Sequence, residues 1–516
     1  MPLKRLIAIG CCLGALAGSL TSASSALASR SETVFFEAPT QLMNPALRPA
    51  TITQLQSLGV HAVRILLDWG AVAPNPDSHS KPALDMTDPA SYNWGQYVPL
   101  ITELHSLGWT VLLTITAEPP TGVPCWASAC AKDRVTDPNA TDYGQFTEAV
   151  GREFGSEVKL YSIWNEPNQP QFLMPQNVKG KIVSATIYRS LFLDGYAGLK
   201  ASGNFAGMTV LMGETSPVGS AVGDIPAPLA FLRGVLCLNS HYVKSRSCAK
   251  LPANGYAQHP YAEKAGPFWQ PRGAGTADDV TIGTLGRLVT ALNRAADAGA
   301  ISRHMPIYIT EFGVQSKPDP SAVSVTQQAE YLAISERLAW SNPRVASFDQ
   351  YLLTDDAPLP GNIVQRWSGF QTGLEYLSGQ QKPAYNEWRL PLTVTRNGSR
   401  VSLWGLVRPA ATAAAINPGP TGPSGTSGGS TAATGTTTPT PVPATSVLIE
   451  YSANGGHTWK SLLSASIDTA TDGSWSATAS FAKGRVWRAQ WTSPSGTIYD
   501  GATTRAYTTA NPSPAS

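Results

Sequence analysis

Two rhythms of apolar residues alternate along most of the chain. Short runs rich in β-branched and aromatic residues occur at Val60 to Leu67, Trp109 to Thr116, Leu160 to Trp164, Thr209 to Gly213, Ile307 to Thr310 and Val345 to Leu353. Their unbroken apolar character predicts strands buried on both faces. Phe35-Phe36 and Tyr256-Ala257 are shorter runs that bring the expected strand count to eight. Between them lie stretches with helical spacing. Tyr97, Leu100, Ile101, Leu104 and Leu107 share one helical face before Gly108, and Leu285, Leu288, Val289, Leu292 and Ala296 do so before Gly299. The strings Ser-Leu-Gly-Val at 57–60 and Ser-Leu-Gly-Trp at 106–109 each end a helix and begin a strand.

Strand–helix alternation over some 350 residues implies a parallel sheet with crossover helices. Eight strands at this length predict an α/β fold of the (β/α)8 barrel type over residues 29–390. An open doubly wound sheet is the rival, but no glycine-rich phosphate loop follows the first strand. The pattern changes after Leu392. Residues 392–408 read as two strands around Asn397-Gly398, a strong hairpin signal. Residues 411–445 carry no charge and consist largely of Ala, Gly, Ser, Thr and Pro, so they read as a linker or insertion. Strand patterning resumes at Val447, followed by Trp475, Trp487 and Trp491 at mostly alternating spacing. A small antiparallel β-sandwich over 391–410 and 446–516 is expected, with a hairpin capping the barrel as the alternative for 392–408. The sandwich tryptophans could form a glycan or cell-surface contact, or pack their own core.

The first residues concern compartment. Lys4 and Arg5 precede an apolar run from Leu6 to Leu20 that ends in Ala26-Leu27-Ala28. Residues 1–28 therefore read as a secretory signal peptide, the run being too short for a membrane anchor. The chain has 37 Lys plus Arg against 35 Asp plus Glu. Export removes Lys4 and Arg5, so the mature balance is 37 − 2 = 35 against 35, a net charge of zero. That balance gives no electrostatic footprint for nucleic acid or an anionic membrane, both of which call for concentrated basic charge. The four remaining cysteines fall into two local couples, Cys125 with Cys130 and Cys237 with Cys248. In a secreted chain they read as two disulfides. With only 14% charged residues and 14 Trp, the surface suits a neutral, sugar-like partner.

Two acidic strings end predicted strands four and seven: Ile163-Trp164-Asn165-Glu166-Pro167-Asn168 and Tyr308-Ile309-Thr310-Glu311-Phe312-Gly313. In a barrel the strand C-termini share one face, so Glu166 and Glu311 should converge although 145 positions apart (311 − 166). A pair of carboxyls is what glycosidic cleavage requires, one to protonate the leaving oxygen and one to attack the anomeric carbon. Loop tryptophans Trp69, Trp126, Trp269 and Trp367 could offer ring faces to a pyranose, or pack on the barrel rim. No metal-ligand spacing, phosphate loop or Ser-His-Asp pattern stands out, and the chemistry needs no cofactor.

With these residues in place, the chain resembles clan A of the retaining glycoside hydrolases, which includes cellulase-like and β-xylosidase-like families. The resemblance rests on Trp-Asn-Glu-Pro at 164–167 and on the strand-seven glutamate, and it spans roughly residues 34–390. It implies Glu166 as acid/base, Glu311 as nucleophile and Asn165 as a partner of the sugar 2-hydroxyl. Val63-Arg64-Ile65 followed by Trp69 resembles the clan's second strand, where an arginine holds the nucleophile. Gln258-His259-Pro260-Tyr261 resembles the sixth strand end, where a histidine or tyrosine orients the nucleophile or touches substrate. Two strings depart from the cellulase-like pattern, Thr116-Ala117-Glu118-Pro119-Pro120 after strand three and Phe348-Asp349-Gln350-Tyr351 on strand eight. The expectation is a secreted retaining β-glycosidase acting on a poly- or oligosaccharide. A transglycosylase using the same residues and a non-catalytic carbohydrate-binding protein are the alternatives.

Overall fold

The computed structural model describes residues 32–410 and 446–508, apart from residue 274 and residues 469–471. The signal-peptide reading of 1–28 and the linker reading of 411–445 lie outside them.

Eight parallel strands close into a barrel: β1 (Thr33–Glu37), β2 (Ala62–Asp68), β3 (Thr110–Thr116), β4 (Leu160–Ile163), β5 (Thr209–Thr215), β6 (Gly255–Gln258), β7 (Ile307–Ile309) and β8 (Val345–Tyr351). Each strand pairs with its sequence neighbours, and β1 closes the ring on β8 through Thr33 to Ser347 and Glu37 to Tyr351. All eight expected strands are present, with ends within a few residues of the apolar runs. Helices over Arg48–Ser57, Val98–Ser106, Ala140–Phe154, Ser184–Ala201, Leu285–Asp297 and Val325–Trp340 lie among the connections.

The strands divide their apolar residues between two clusters. Phe35, Ala62, Leu112, Leu211 and Ala257 form a small group inside the barrel. Their strand neighbours Phe36, Val63, Leu113, Met212 and Tyr256 belong to the large core shared with the helices. This is the two-residue period of a strand at work. It fixes which later positions on each strand face the barrel interior. Full burial of each such aliphatic side chain contributes roughly 1.5–3 kcal/mol.

The C-terminal part is a sandwich of two antiparallel sheets. β9 (Leu392–Asn397), β10 (Arg400–Leu406) and β13 (Ser474–Ser480) form one. The other contains β11 (Ser446–Ser452), β12 (Lys460–Ser466), β14 (Val486–Thr492), β15 (Ile498–Asp500) and β16 (Thr504–Arg505). The 392–406 hairpin therefore belongs to the sandwich, because β10 pairs with β13 along its whole length. Trp475, Trp487 and Trp491 are 3%, 0% and 3% exposed inside this core, so their rings offer no platform to a glycan.

Charged contacts join the sandwich to the barrel helix Val325–Trp340. Arg505 grips Glu330 through two hydrogen bonds of 2.8 Å. Arg408 pairs with buried Glu336 and donates to the Trp388 carbonyl at 2.6 Å, its guanidinium lying 3.9 Å over the Trp388 ring. Both expected disulfides, Cys125–Cys130 and Cys237–Cys248, are formed. Among the described residues no helix is long and apolar enough to cross a membrane.

Candidate active site

The inward positions near the C-terminal ends of the strands carry polar groups in place of the apolar ones below. On β1 the alternation that puts Phe35 inside also puts Glu37 there. On β2 and β3 it does the same for Arg64 and Thr114, which follow Ala62 and Leu112. Asp349 lies two residues beyond Ser347 on β8. Glu37, Arg64, Thr114 and Asp349 are all buried, as is Ser347.

Arg64 is the hub. Its Nε donates to Thr114 Oγ1 at 3.1 Å, and one terminal nitrogen donates to both Glu37 oxygens at 3.0 and 3.1 Å and to Glu311 Oε2 at 3.1 Å. The other donates to Asn165 Oδ1 and Glu214 Oε2, each at 2.8 Å. Burial works against its charge, but Glu214, Glu37 and Glu311 more than offset that and hold it firmly protonated.

Glu166 and Glu311 meet as expected. One oxygen from each and one ring nitrogen of His259 all lie within 4.8 Å of one another. His259 Nδ1 stands 3.0 Å from Glu166 Oε1 and 3.5 Å from Glu311 Oε2. Burial and the nearby Arg64 charge press the His259 pKa well below its usual value, so the ring is neutral. Tyr261 donates its hydroxyl to Glu311 Oε1 at 2.8 Å. Asn165 completes the set, donating to Glu118 Oε1 at 3.0 Å while it accepts from Arg64.

The two glutamates are treated differently. Burial, reinforced by the charge of Glu311, pushes Glu166 well above the usual carboxyl range. Burial raises Glu311 as well, but Arg64 and the Tyr261 hydroxyl pull against it. An ionised Glu311 beside a protonated Glu166 is the arrangement these surroundings favour. The backbone is held in uncommon conformations here: Trp164, Glu166 and Glu214 have φ of 68°, 35° and 47°. Left-handed backbone in non-glycine residues costs energy and tends to gather at functional sites.

A cavity of about 460 Å³ opens above the pair. Glu166, Glu311, Tyr261, Trp367 and Phe370 line it, together with polar side chains such as Gln169, Gln315 and Lys264. Of the tryptophans expected near a ligand, Trp367 lines this cavity. Trp69 is wholly enclosed, its ring stacked on Phe146 at 5.4 Å and edge-on to Trp126 at 5.9 Å, so it presents no face to a ligand. Trp126 is 9% exposed and donates its indole N–H to the Pro74 carbonyl. Both belong to the aromatic layer between the barrel and the Ala140–Phe154 helix, where loop position alone suggested a cleft. Trp269 is half-buried and its carbonyl accepts from Thr281.

Sequence reading passed over Glu37 and Glu214 and gave no role to Glu118 or Asp349. Glu37 and Asp349 were within reach, since both keep the inward phase of their strands. Glu214 was not, because it does not keep the phase of its strand.

No protein-family profile matches the chain, and no curated protein matches it in sequence. Solved structures do match. A glucosidase from Croceicoccus marinus superposes with a TM-score of 0.50 at 11% identity, covering 89% of this chain and 95% of that one. The likeness is one of fold. A family 39 glycoside hydrolase from the gut symbiont Bacteroides cellulosilyticus WH2 gives 0.48 at 15% identity, with 90% and 81% covered. A hyperthermophilic β-glucosidase from Pyrococcus furiosus gives 0.42 at 15%, with 66% and 82% covered. At such identities a likeness shows fold alone, and any activity has to be argued from the site itself.

Proposed function

We propose that the protein is a retaining β-glycosidase that hydrolyses a poly- or oligosaccharide by double displacement. The observation that carries this reading is the approach of one oxygen of Glu166 and one of Glu311 to within 4.8 Å in a cavity lined by Trp367 and Tyr261. Retaining enzymes hold their two carboxyls about 5–5.5 Å apart, whereas inverting enzymes leave about 6.5–9.5 Å for a water.

In the first step a Glu311 oxygen bonds to the anomeric carbon as the glycosidic C–O bond breaks, and the Glu166 proton passes to the departing oxygen. Water then enters. Glu166, now a carboxylate, takes its proton, the oxygen attacks the anomeric carbon, and the bond to Glu311 breaks. Arg64 and Tyr261 keep Glu311 ionised and aimed. Neutral His259, within hydrogen-bond reach of Glu166, adds no charge that would strip the proton from the acid. Trp367 supplies a ring face for the sugar.

The low charge of the chain supports a neutral substrate. Two formed disulfides support export.

A panel of aryl β-glycosides and β-glycans, read by product sizing and by NMR of the first-formed anomer, tests the proposal. Hydrolysis with retained configuration is expected, nearly abolished in Glu166→Gln and in Glu311→Gln. Inversion, or wild-type rates in either variant, would overturn it.

A further inference from the structure

Glu214 reaches the site by an irregularity of the sheet. Leu211 faces the barrel interior, so the strand period turns 213 and 215 inward and 214 towards the helices. The pairing of β5 with β6 breaks at this point: Gly213 aligns with Ala257 and Thr215 with Gln258, leaving Glu214 unmatched between them. A bulge of this kind re-aims one side chain. Gly213 makes it feasible, with φ of 112° and a Cβ position that would fall 2.5 Å from the Ala257 carbonyl oxygen. Glu214 follows at φ 47°, fully buried. Strained backbone and a broken ladder are retained here, and their visible product is one carboxylate turned into the barrel.

That carboxylate is tied to the cation directly and again through Thr114. Its Oε2 accepts from Arg64 at 2.8 Å, and its Oε1 accepts from Thr114 Oγ1 at 2.9 Å. The same Thr114 oxygen accepts from Arg64 Nε at 3.1 Å, closing a ring of three side chains. The ring fixes the plane of the guanidinium, and with it the nitrogen that donates to Glu311 at 3.1 Å. It also divides the cation, since Glu214 and Glu37 claim charge that Glu311 would otherwise have.

We propose that Glu214 is a positioning residue: it locks the Arg64 guanidinium against Glu311 and governs how firmly that cation holds Glu311 ionised. The role of Glu311 as nucleophile rests on the preceding proposal. Glu311 is faced by Arg64 from β2, Glu37 from β1, Glu118 beyond β3, Glu166 beyond β4 and Glu214 from β5. His259 and Tyr261 face it from beyond β6, and Asp349 and Tyr351 from β8. Among them Glu214, like Glu37, binds the cation and repels Glu311 at once.

Glutamate carboxyl carbons labelled with ¹³C allow the Glu311 titration to be followed directly, with Glu311→Gln assigning the signal. Glu214→Gln keeps the shape and removes the charge, so the Glu311 midpoint should fall by about one pH unit, the scale on which one nearby buried charge acts. Glu214→Asp, which draws the carboxylate back from Arg64, should give a smaller fall. The acidic arm of the kcat/KM profile should move the same way. An unchanged midpoint in whichever variant folds overturns the positioning role, because a purely structural residue would lower stability without moving it. A shifted midpoint in a protein that cleaves no glycoside would overturn the glycosidase proposal and leave this one standing.

Discussion

Replacing Arg64 by Met tests how far one buried cation holds the site together. Met keeps much of the apolar stem and removes the guanidinium, with its hydrogen bonds to Thr114, Glu37, Glu311, Asn165 and Glu214. Removing one partner of a buried ion pair costs about 3–5 kcal/mol. Three carboxyls lose their partner here, but each can take up a proton instead, at about 1.4 kcal/mol per unit of raised pKa. We therefore expect a loss near the same 3–5 kcal/mol at neutral pH, or an apparent Tm lower by about 5–15 °C. The loss should depend on pH in a definite sense. Burial already raises Glu37 and Glu311, and the cation opposes this, so its removal lifts them further above their unfolded values. A group raised in the folded state binds its proton more tightly there. Its contribution is complete below the unfolded pKa of about 4.3 and is lost as pH rises through the folded pKa. Thermal unfolding of wild type and Arg64→Met at about pH 5 and about pH 8 reads this out, since the loss grows as pH rises above the unfolded pKa. A deficit that is equal at both pH values, or larger at the acidic one, refutes the reasoning.

Three further outcomes follow from named contacts. Burial holds Glu118 up at about 7, so its share of stability is full below the ordinary carboxyl range and disappears as pH rises through that value. Glu118→Gln, which mimics the protonated form, should flatten the dependence of Tm on pH between about 5 and 8 and exceed wild type at the upper end. Trp69→Ala should destabilise by about 3–5 kcal/mol, as for other large core truncations, while leaving KM of the folded protein unchanged. Trp367→Ala should instead raise KM about three- to tenfold with little change in Tm, reflecting a lost stacking face. A KM effect at Trp69, or a Tm effect at Trp367, would reverse the placement of those rings.

The barrel was legible because its eight strands are buried on both faces and so read as plain apolar runs. Glu166 and Glu311 were legible because they end two such runs. The sandwich tryptophans and the loop tryptophans were less so. Trp69 follows β2 as a cleft residue would, yet it is swallowed by Phe146, Tyr143 and Trp126, contacts between segments distant in sequence. Strand phase, carried past Phe35 and Ser347, would have recovered Glu37 and Asp349. It would have misplaced Glu214, because the bulge at Gly213 reverses the phase from that residue on and is set by pairing with β6. Local pattern reports which residues a strand buries. It does not report where the ladder slips.

The sandwich is completed by a strand from each side of residues 411–445. β10, on the near side, is hydrogen-bonded along its length to β13, on the far side, and Arg408 and Arg505 anchor the two sides to one barrel helix. The break in composition therefore does not mark a place where the protein can be divided. Ending the chain before Ser446 would uncover Val401, Leu403 and Val407 and leave the β10 edge open to other molecules. Glu330 would also lose its guanidinium. A shortened protein made to isolate the catalytic barrel should aggregate, whereas a backbone cut within 411–445 should leave both pieces held together as one particle.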